Sequence, residues 1–224
     1  MNKIKLINKY EIIYLNNISV RSGSPIFLED STKVIGINRE GDNNTGNILI
    51  PIINSLKDNL KYQKLNYNND VYEGFINNDK REGYGKYIYE NGNYYIGQWL
   101  NDLKHGKGTI YYKNNTIKYE GDFVNGKYEG YGKYIWENGQ YYIGQWLNGL
   151  RHGKGTIYYK NNTIIYEGDF VNDKFEGYGK YIYEDGEYYI GQYLNGLRHG
   201  KGTQYYKNNT IKYEGYFVNG KIIE

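Results

Sequence analysis

The chain has 224 residues, with 28 Lys and Arg against 25 Asp and Glu, and it has no cysteine. Without cysteine it can hold no disulfide framework, thiolate metal site or cysteine nucleophile. The formal net charge of +3 belongs to residues 1–66, because residues 67–224 carry equal numbers of acidic and basic side chains. A neutral second part excludes bulk nucleic-acid binding, which needs a sustained excess of Lys and Arg.

The compartment is predicted from two missing signals. No positively charged start followed by an apolar run opens the sequence, and no stretch approaches transmembrane length. We therefore expect a cytoplasmic chain, with peripheral membrane association as the alternative.

Residues 1–66 read as a first, small β-rich domain. Short apolar runs occur at Tyr10–Leu15, Ile26–Leu28, Lys33–Ile37 and Ile48–Ile53, with turn-rich pieces between them. A terminal helix is predicted at about residues 54–65, because Leu56, Leu60 and Leu65 lie roughly on one side of it.

This segment resembles the last part of a trypsin-like serine protease domain. The resemblance rests on the segment from Ser22 to Phe27, on Val34–Ile37, and on Gly46 before an apolar run. It implies that Ser22 holds the nucleophile position. A serine nucleophile needs a positioned base, and residues 1–66 contain no histidine. The resemblance also implies a glycine at the position of Val20. We therefore predict that residues 1–66 are an inactive remnant, a partial β-barrel. Proteolysis is expected only if a missing upstream half exists.

The rest of the chain is a tandem repeat. The stretch "YEGDFVNGKYEGYGKYIWENGQ" starts at Tyr119, with related copies at Tyr72 and Tyr166 and a shorter one at Tyr213. Between them "YIGQWLNDLKHGKGTIYYKNNT" starts at Tyr95 and recurs almost unchanged at Tyr142 and Tyr189. The unit is therefore 23 or 24 residues long, with six full copies and part of a seventh.

Each unit predicts one β-hairpin. Tyr95, Gly97 and Trp99 share one face of a strand, and Gly106 and Gly108 share a face of the next strand. Asn-Gly, Asp-Gly and Asn-Asn-Thr segments separate the runs, which is hairpin chemistry. The large rings fall on the same face as the glycines, so they can lie across neighbouring glycine positions.

The pattern Tyr-x-Gly-x-Trp/Phe, then Gly-x-Gly, then Gly before the next Tyr resembles the MORN (membrane occupation and recognition nexus) repeat over residues 72–224. The resemblance implies an elongated, single-layer, antiparallel meander of tandem hairpins. It also implies scaffolding, dimerisation and sometimes membrane association. We therefore predict an all-β chain in which residues 67–224 form the repeat array.

The most site-like motif is Leu-[Lys/Arg]-His-Gly-Lys-Gly, which we call the basic ladder. Its members are Lys104, His105, Lys107, Arg151, His152, Lys154, Arg198, His199 and Lys201. One interpretation is a set of hairpin turns with a solvated basic flank, and the other is a series of sites for acidic partners or anionic lipid head groups. Copies four strands apart, about 19 Å at ordinary strand spacing, cannot share a metal or acid–base chemistry. We expect no metal and no cofactor.

Charge patterning favours protein contacts over a membrane. The units from Tyr95, Tyr142 and Tyr189 carry +3, +3 and +4, whereas those from Tyr72, Tyr119 and Tyr166 carry −1, −2 and −5. Opposite charges on adjacent units favour pairing along the sheet or between two molecules.

We therefore predict a non-enzymatic scaffold with protein partners, a homodimer among them, since an uncapped sheet edge pairs with other chains. The predicted interaction face comprises Tyr95, Trp99, Tyr142, Trp146, Tyr189 and Tyr193. Peripheral binding to anionic lipids through the basic ladder is the alternative.

Overall fold

The computed structural model describes residues 25–27, 34–37 and 60–223, and all the elements in these ranges are β-strands. In the first domain β1 (Pro25–Phe27) pairs antiparallel with β2 (Val34–Ile37) as a two-stranded sheet. Both strands coincide with predicted apolar runs. The rest of the predicted barrel remnant, with Ser22, lies outside the described residues.

The repeat region forms one open antiparallel sheet of 15 strands in simple sequence order from β3 to β17. Its strands are β3 (Lys61–Tyr67), β4 (Asp70–Asn77), β5 (Lys80–Ile88), β6 (Tyr94–Leu100), β7 (Leu103–Tyr111), β8 (Ile117–Val124), β9 (Lys127–Ile135), β10 (Tyr141–Leu147), β11 (Leu150–Tyr158), β12 (Ile164–Val171), β13 (Lys174–Ile182), β14 (Tyr188–Leu194), β15 (Leu197–Tyr205), β16 (Ile211–Val218) and β17 (Lys221–Ile223). The predicted meander of hairpins is confirmed.

One prediction about the first segment differs from the structure. The helix expected at about residues 54–65 is absent from residues 61–65, which form the start of β3, while residues 54–59 lie outside the described range. Leucines spaced by four and five residues fit a helix, but Lys61–Tyr67 is a strand beside β4 in the same sheet. Tertiary pairing has overridden the local pattern.

From β4 onward, two kinds of turn alternate along the sheet. Two-residue turns such as Asn125-Gly126 and Asn172-Asp173 have positive φ at both positions, the conformation that fits the twist of a two-residue hairpin. Five-residue loops form the other connections, and their third residue is Asn or Asp. In one of them Asn114 Oδ1 accepts the backbone N–H of Thr116 at 3.0 Å. The turn chemistry therefore fixes the register of each hairpin.

The core is a row of tyrosines lying flat on glycine pairs. Six of them are fully buried, namely Tyr72, Tyr95, Tyr119, Tyr142, Tyr166 and Tyr189. Gly144 and Gly155 are direct cross-strand neighbours, and a Cβ built on either would lie 2.6 Å from Tyr142 Cζ. Only glycine leaves room for the ring. The predicted stacking of large rings across glycines is confirmed.

Neighbouring rings close the core from the sides. Tyr142 meets Trp146 and Phe170 edge to face, at centroid distances of 5.2 Å in both cases, and its hydroxyl donates to the Gln145 carbonyl at 2.9 Å. Trp146 Nε1 donates to the Gly132 carbonyl at 3.3 Å. Edge-to-face pairs and satisfied polar tips are the favourable arrangement for buried aromatic residues. The sheet thus buries its own rings on one side, which we call the aromatic face.

Candidate functional site

The predicted interaction face is the core of the sheet. Tyr95, Tyr142 and Tyr189 have no exposed surface, and Trp99, Trp146 and Tyr193 are 5–7% exposed. These six side chains therefore hold the fold together. Any contact surface on this face must consist of the residues that lie above them.

The basic ladder divides between the two faces of the sheet. Lys104 pairs in register with Trp99, and its ammonium lies 5.4 Å from the centre of the Tyr95 ring, so it belongs to the aromatic face. Lys107 pairs in register with Asp122 on the opposite face. The same division holds for Arg151 and Lys154, and for Arg198 and Lys201. The ladder is not one continuous cationic surface.

On the opposite face two of the three ladder lysines are neutralised by the next unit. Lys107 forms an ion pair with Asp122, and Lys154 forms one with Asp169, each at 2.7 Å. The third equivalent, Lys201, lies 5.6 Å from the centre of the Tyr216 ring. The predicted pairing between oppositely charged units is confirmed at these two positions.

The Gly-Lys-Gly segment is a strand irregularity filled by a glutamine. Gly106 has φ +60, and a Cβ there would overlap the side-chain amide of Gln98. Gln98 Oε1 accepts the backbone N–H of Lys107 at 3.1 Å, and Gln145 and Gln192 do the same at Lys154 and Lys201. The glycines are therefore needed by the backbone and by Gln98, so this segment does not offer an open cradle to a phosphate.

The three histidines are kept apart on β7, β11 and β15. Each has a buried Nδ1 without a hydrogen-bond partner. The units without histidine carry Glu82, Glu129 and Glu176 at the equivalent position, where each carboxylate accepts a turn N–H of the next hairpin. In the part of the chain that the structure describes, no group of three His, Asp or Glu side chains could hold a metal ion.

The residues that cover the core rings form one row, which we call the cation–ring row. It consists of Arg81, Lys104, Tyr128, Arg151, Phe175 and Arg198, on every second strand from β5 to β15. The row is defined by a shared backbone hydrogen bond. In each case the second residue of the next two-residue turn donates its N–H to the carbonyl of the row residue, at 2.8–3.1 Å.

Every member of the row lies over an aromatic ring of the core. Tyr128 stacks on Tyr119 at 3.9 Å between centroids, and Phe175 stacks on Tyr166 at 3.7 Å. The guanidinium of Arg81 lies 4.4 Å from the Trp99 ring. Cations over ring faces are attracted by the ring quadrupole, more strongly where water is partly excluded. The row thus consists of four half-buried cations and two rings, with Arg81 and Lys104 as neighbours and a ring between each later pair of cations.

Two of the four cations have an internal carboxylate. Asp102 Oδ1 accepts from the Arg81 Nε and backbone N–H groups, at 3.1 and 2.9 Å, and Arg81 Nη2 donates to the Asp102 carbonyl. Asp173 binds Arg151 in the same way, with both Oδ1 contacts at 2.9 Å. Both aspartates are the second residue of a two-residue turn.

The other two cations face a glycine at that turn position. Gly126 stands opposite Lys104 and Gly220 opposite Arg198. Arg198 Nη2 still donates to the Gly220 carbonyl at 2.7 Å, but its buried Nη1 has no hydrogen-bond partner. Burial, with further contributions from Arg81 and Lys118, lowers the pKa of Lys104 to about 8. These two cations are the least compensated charges of the row.

Sequence reasoning missed Arg81, Tyr128 and Phe175. Arg81 precedes Glu82 instead of a histidine, so it does not fit the ladder motif. Alignment on Gly-x-Gly, with Gly83 and Gly85 set against Gly106 and Gly108, would have placed Arg81 beside Lys104.

Comparisons with known proteins follow the repeat. The MORN repeat family model matches residues 72–94, 95–117, 119–141, 142–164, 166–188, 189–211 and 213–222. No curated protein matches the chain. One similar solved structure is the TCP domain of SAS-4 (dCPAP) from Drosophila melanogaster, in complex with a proline-rich motif of Ana2 (dSTIL). It is 16% identical, with a TM-score of 0.36, over 67% of this chain and 87% of that chain.

The resemblance of residues 1–66 to a trypsin-like protease stays a prediction. No helix among the described residues is long and apolar enough to cross a membrane. The family matches account for more than half of the chain, and they coincide with the hairpins from β4 onward. The chain therefore belongs to the MORN repeat family.

Proposed function

We propose that the repeat sheet is a protein-interaction scaffold, and that its contact surface is the cation–ring row. The supporting observation is the series of half-buried cations and stacked rings along one face, with Tyr128 and Phe175 between the last three cations. Successive members are two strands apart, so about 10 Å at ordinary strand spacing. A polypeptide with acidic and apolar side chains matches this surface, and weak contacts along the row add up if the partner matches its spacing.

The charge arrangement favours a polypeptide over a membrane. An anionic bilayer is bound by an exposed cluster of Lys and Arg. Here Tyr128 and Phe175 separate Lys104, Arg151 and Arg198 from one another, and Arg81 and Arg151 already bind carboxylates. On the opposite face Lys107 and Lys154 are paired with aspartates.

The function is tested by selecting peptide ligands against the full chain at physiological salt. Their binding is then compared on two variants with equal loss of charge, Lys104→Ala/Arg198→Ala on the aromatic face and Lys107→Ala/Lys201→Ala on the opposite face. We expect the first variant to weaken binding about tenfold or more and the second to change it little, since truncating a half-buried charge that binds a ligand costs more than removing a rim charge.

Two results would contradict the proposal. One is equal loss in both variants, or greater loss in the second. The other is a combined result in which no peptide is selected and the chain floats with anionic vesicles. In that case both variants would reduce the flotation and high salt would abolish it. The latter result would support the lipid alternative.

A further inference from the structure

The two uncompensated cations of the row are docking positions for carboxylates of a partner. We infer that Lys104 and Arg198 each accept an Asp or Glu side chain from an acidic protein segment, in the place that Asp102 and Asp173 fill at Arg81 and Arg151. This inference rests on the proposed function and names the chemistry of the partner at two positions.

The chain itself provides the template of the bound state. At Arg151 one carboxylate oxygen receives both the Nε–H and the backbone N–H, while Nη2 binds the turn carbonyl. At Arg198 the contact of Nη2 with the turn carbonyl is already made. Gly220 holds the turn position at Arg198 that Asp173 holds at Arg151. The glycine lacks only the carboxylate, so the N–H groups that would donate to a carboxylate are left in place.

The empty position can be reached from solvent. The side chains of Asp102 and Asp173 are both 40% exposed, although the arginines that they bind are only 20% exposed. A carboxylate at this position is thus open to water on one side and held by a half-buried cation on the other. A carboxylate from a second chain can occupy the same place.

The cation at each empty position gains from such a ligand. At Arg198 the ligand would accept the Nε–H and the backbone N–H, the two donors that Asp173 accepts at Arg151, and such charge-assisted hydrogen bonds are the stronger kind. Lys104 carries its charge between the Tyr89 and Tyr95 rings, and no carboxylate lies within ion-pair distance of it among the described residues. Arginine binds carboxylates in a fixed fork, and lysine binds them as a point charge. We therefore expect the tighter site at Arg198.

The two sites act independently for a short ligand. Lys104 is on β7 and Arg198 on β15, eight strand spacings apart, so about 38 Å. A ten-residue peptide reaches at most about 36 Å when fully extended. Each site is therefore saturated by its own copy of a decapeptide.

The test supplies the missing carboxylate from within the chain. The probe is a blocked decaglutamate peptide, with decaglutamine as the neutral probe, and binding to the full chain is followed by fluorescence anisotropy and calorimetry. The variant Gly126→Asp/Gly220→Asp fills both positions. Both glycines have positive φ, which the native Asp102 and Asp173 also adopt.

The matched control variant is Gly149→Asp/Gly196→Asp. It makes the same substitution at the same turn position and adds the same charge, but these turns face Tyr128 and Phe175 instead of a cation. We expect decaglutamate to bind Gly126→Asp/Gly220→Asp about tenfold more weakly, because a charge-assisted pair with the peptide is lost at each filled position. Binding to the control should change less than about threefold. Asp173→Gly frees Arg151, which lies four strand spacings, about 19 Å, from both Lys104 and Arg198 and so within reach of one decapeptide. This variant should therefore bind decaglutamate more tightly than the native chain.

Three outcomes would overturn the inference. They are equal weakening by the two glycine pairs, binding of decaglutamine as tight as that of decaglutamate, and decaglutamate affinity that does not rise in Asp173→Gly. None of these outcomes affects the face comparison with Lys104→Ala/Arg198→Ala and Lys107→Ala/Lys201→Ala. If selected peptides still distinguish those faces, the scaffold function stands and only the carboxylate positions fail.

Discussion

The stacking of Tyr142 over Gly144 and Gly155 predicts a substitution whose effect changes sign. In the native chain Gly155→Ala places a methyl group in the volume of the Tyr142 ring, with Cζ 2.6 Å from the new Cβ. The ring cannot move aside freely, because Trp146 and Phe170 pack against its edges and its hydroxyl is bonded to Gln145. Overpacking of this kind costs about 1–3 kcal/mol.

The same alanine is favourable once the ring is removed. Alanine is better than glycine in a strand interior by about 0.5–1 kcal/mol, because glycine loses more backbone freedom on folding. In the native chain this gain offsets part of the overpacking, which leaves a net loss of up to about 2.5 kcal/mol. In the Tyr142→Ala background Gly155→Ala should instead stabilise by about 0.5–1 kcal/mol. The backbone gain is common to both backgrounds, so the coupling energy between the two sites equals the overpacking cost, about 1–3 kcal/mol.

The assay is urea unfolding of the native chain, the two single variants and the double variant, followed by circular dichroism and tryptophan fluorescence. Coincidence of the two probes checks that the array unfolds in one step. If Tyr142→Ala does not fold, the same cycle is measured at Tyr189 and Gly202, the equivalent pair. Equal destabilisation by Gly155→Ala in both backgrounds would refute the account of the core.

Three further predictions concern charges and pH. Asp173→Asn should lower the free energy of unfolding by about 1–2 kcal/mol, because Asp173 accepts two hydrogen bonds from half-buried Arg151. Asp169→Asn should cost less than about 1 kcal/mol, because its partner Lys154 is largely exposed. Equal urea midpoints for the two variants would contradict this ranking. Lys104→Met should stabilise the chain by roughly 1–3 kcal/mol at pH 7, because the fold lowers the pKa of Lys104 to about 8. The native lysine contributes more stability as pH rises from 8 to 10.5, so the difference between the two chains should shrink over that range. A difference independent of pH would exclude the burial penalty. Above pH 10 the native chain should lose stability steeply. Burial raises the pKa of the core tyrosines, that of Tyr189 to about 12, so the tyrosines lose their protons in the unfolded chain before they do in the folded one. A urea midpoint that stays constant between pH 9 and 11 would contradict this prediction.

Much of the fold could be predicted from periodicity. The 47-residue spacing of Tyr72, Tyr119 and Tyr166 predicted the repeat, and Asn-Gly pairs such as Asn125-Gly126 predicted the hairpin turns. Glycines on the same face as large rings predicted the stacking that Tyr142 shows over Gly144 and Gly155. These features depend on residues that are close in sequence or directly opposite in a hairpin.

The surface could not be predicted in the same way. The core rings were expected to face a partner, but Tyr95, Tyr142 and Tyr189 are each covered by an edge-to-face neighbour from the next hairpin, as Phe170 covers Tyr142. The Arg151–Asp173 pair joins two residues 22 positions apart that meet only when the next turn folds back beside the strand. Whether a cation has its carboxylate therefore depends on one residue of a neighbouring turn.

The central claim is that a partner polypeptide lies along the aromatic face, and hydroxyl-radical footprinting tests it directly. Tyr128 of the row and Tyr131 of the opposite face lie three residues apart on β9, and Phe175 and Tyr178 are the equivalent pair on β13. Tyr131 and Tyr178 are 63% and 62% exposed, so they react readily in the free chain. With a selected peptide bound, the account predicts slower oxidation of Tyr128 and Phe175 and an unchanged rate at Tyr131 and Tyr178. Protection of Tyr131 and Tyr178 alone would place the partner on the opposite face and contradict the account.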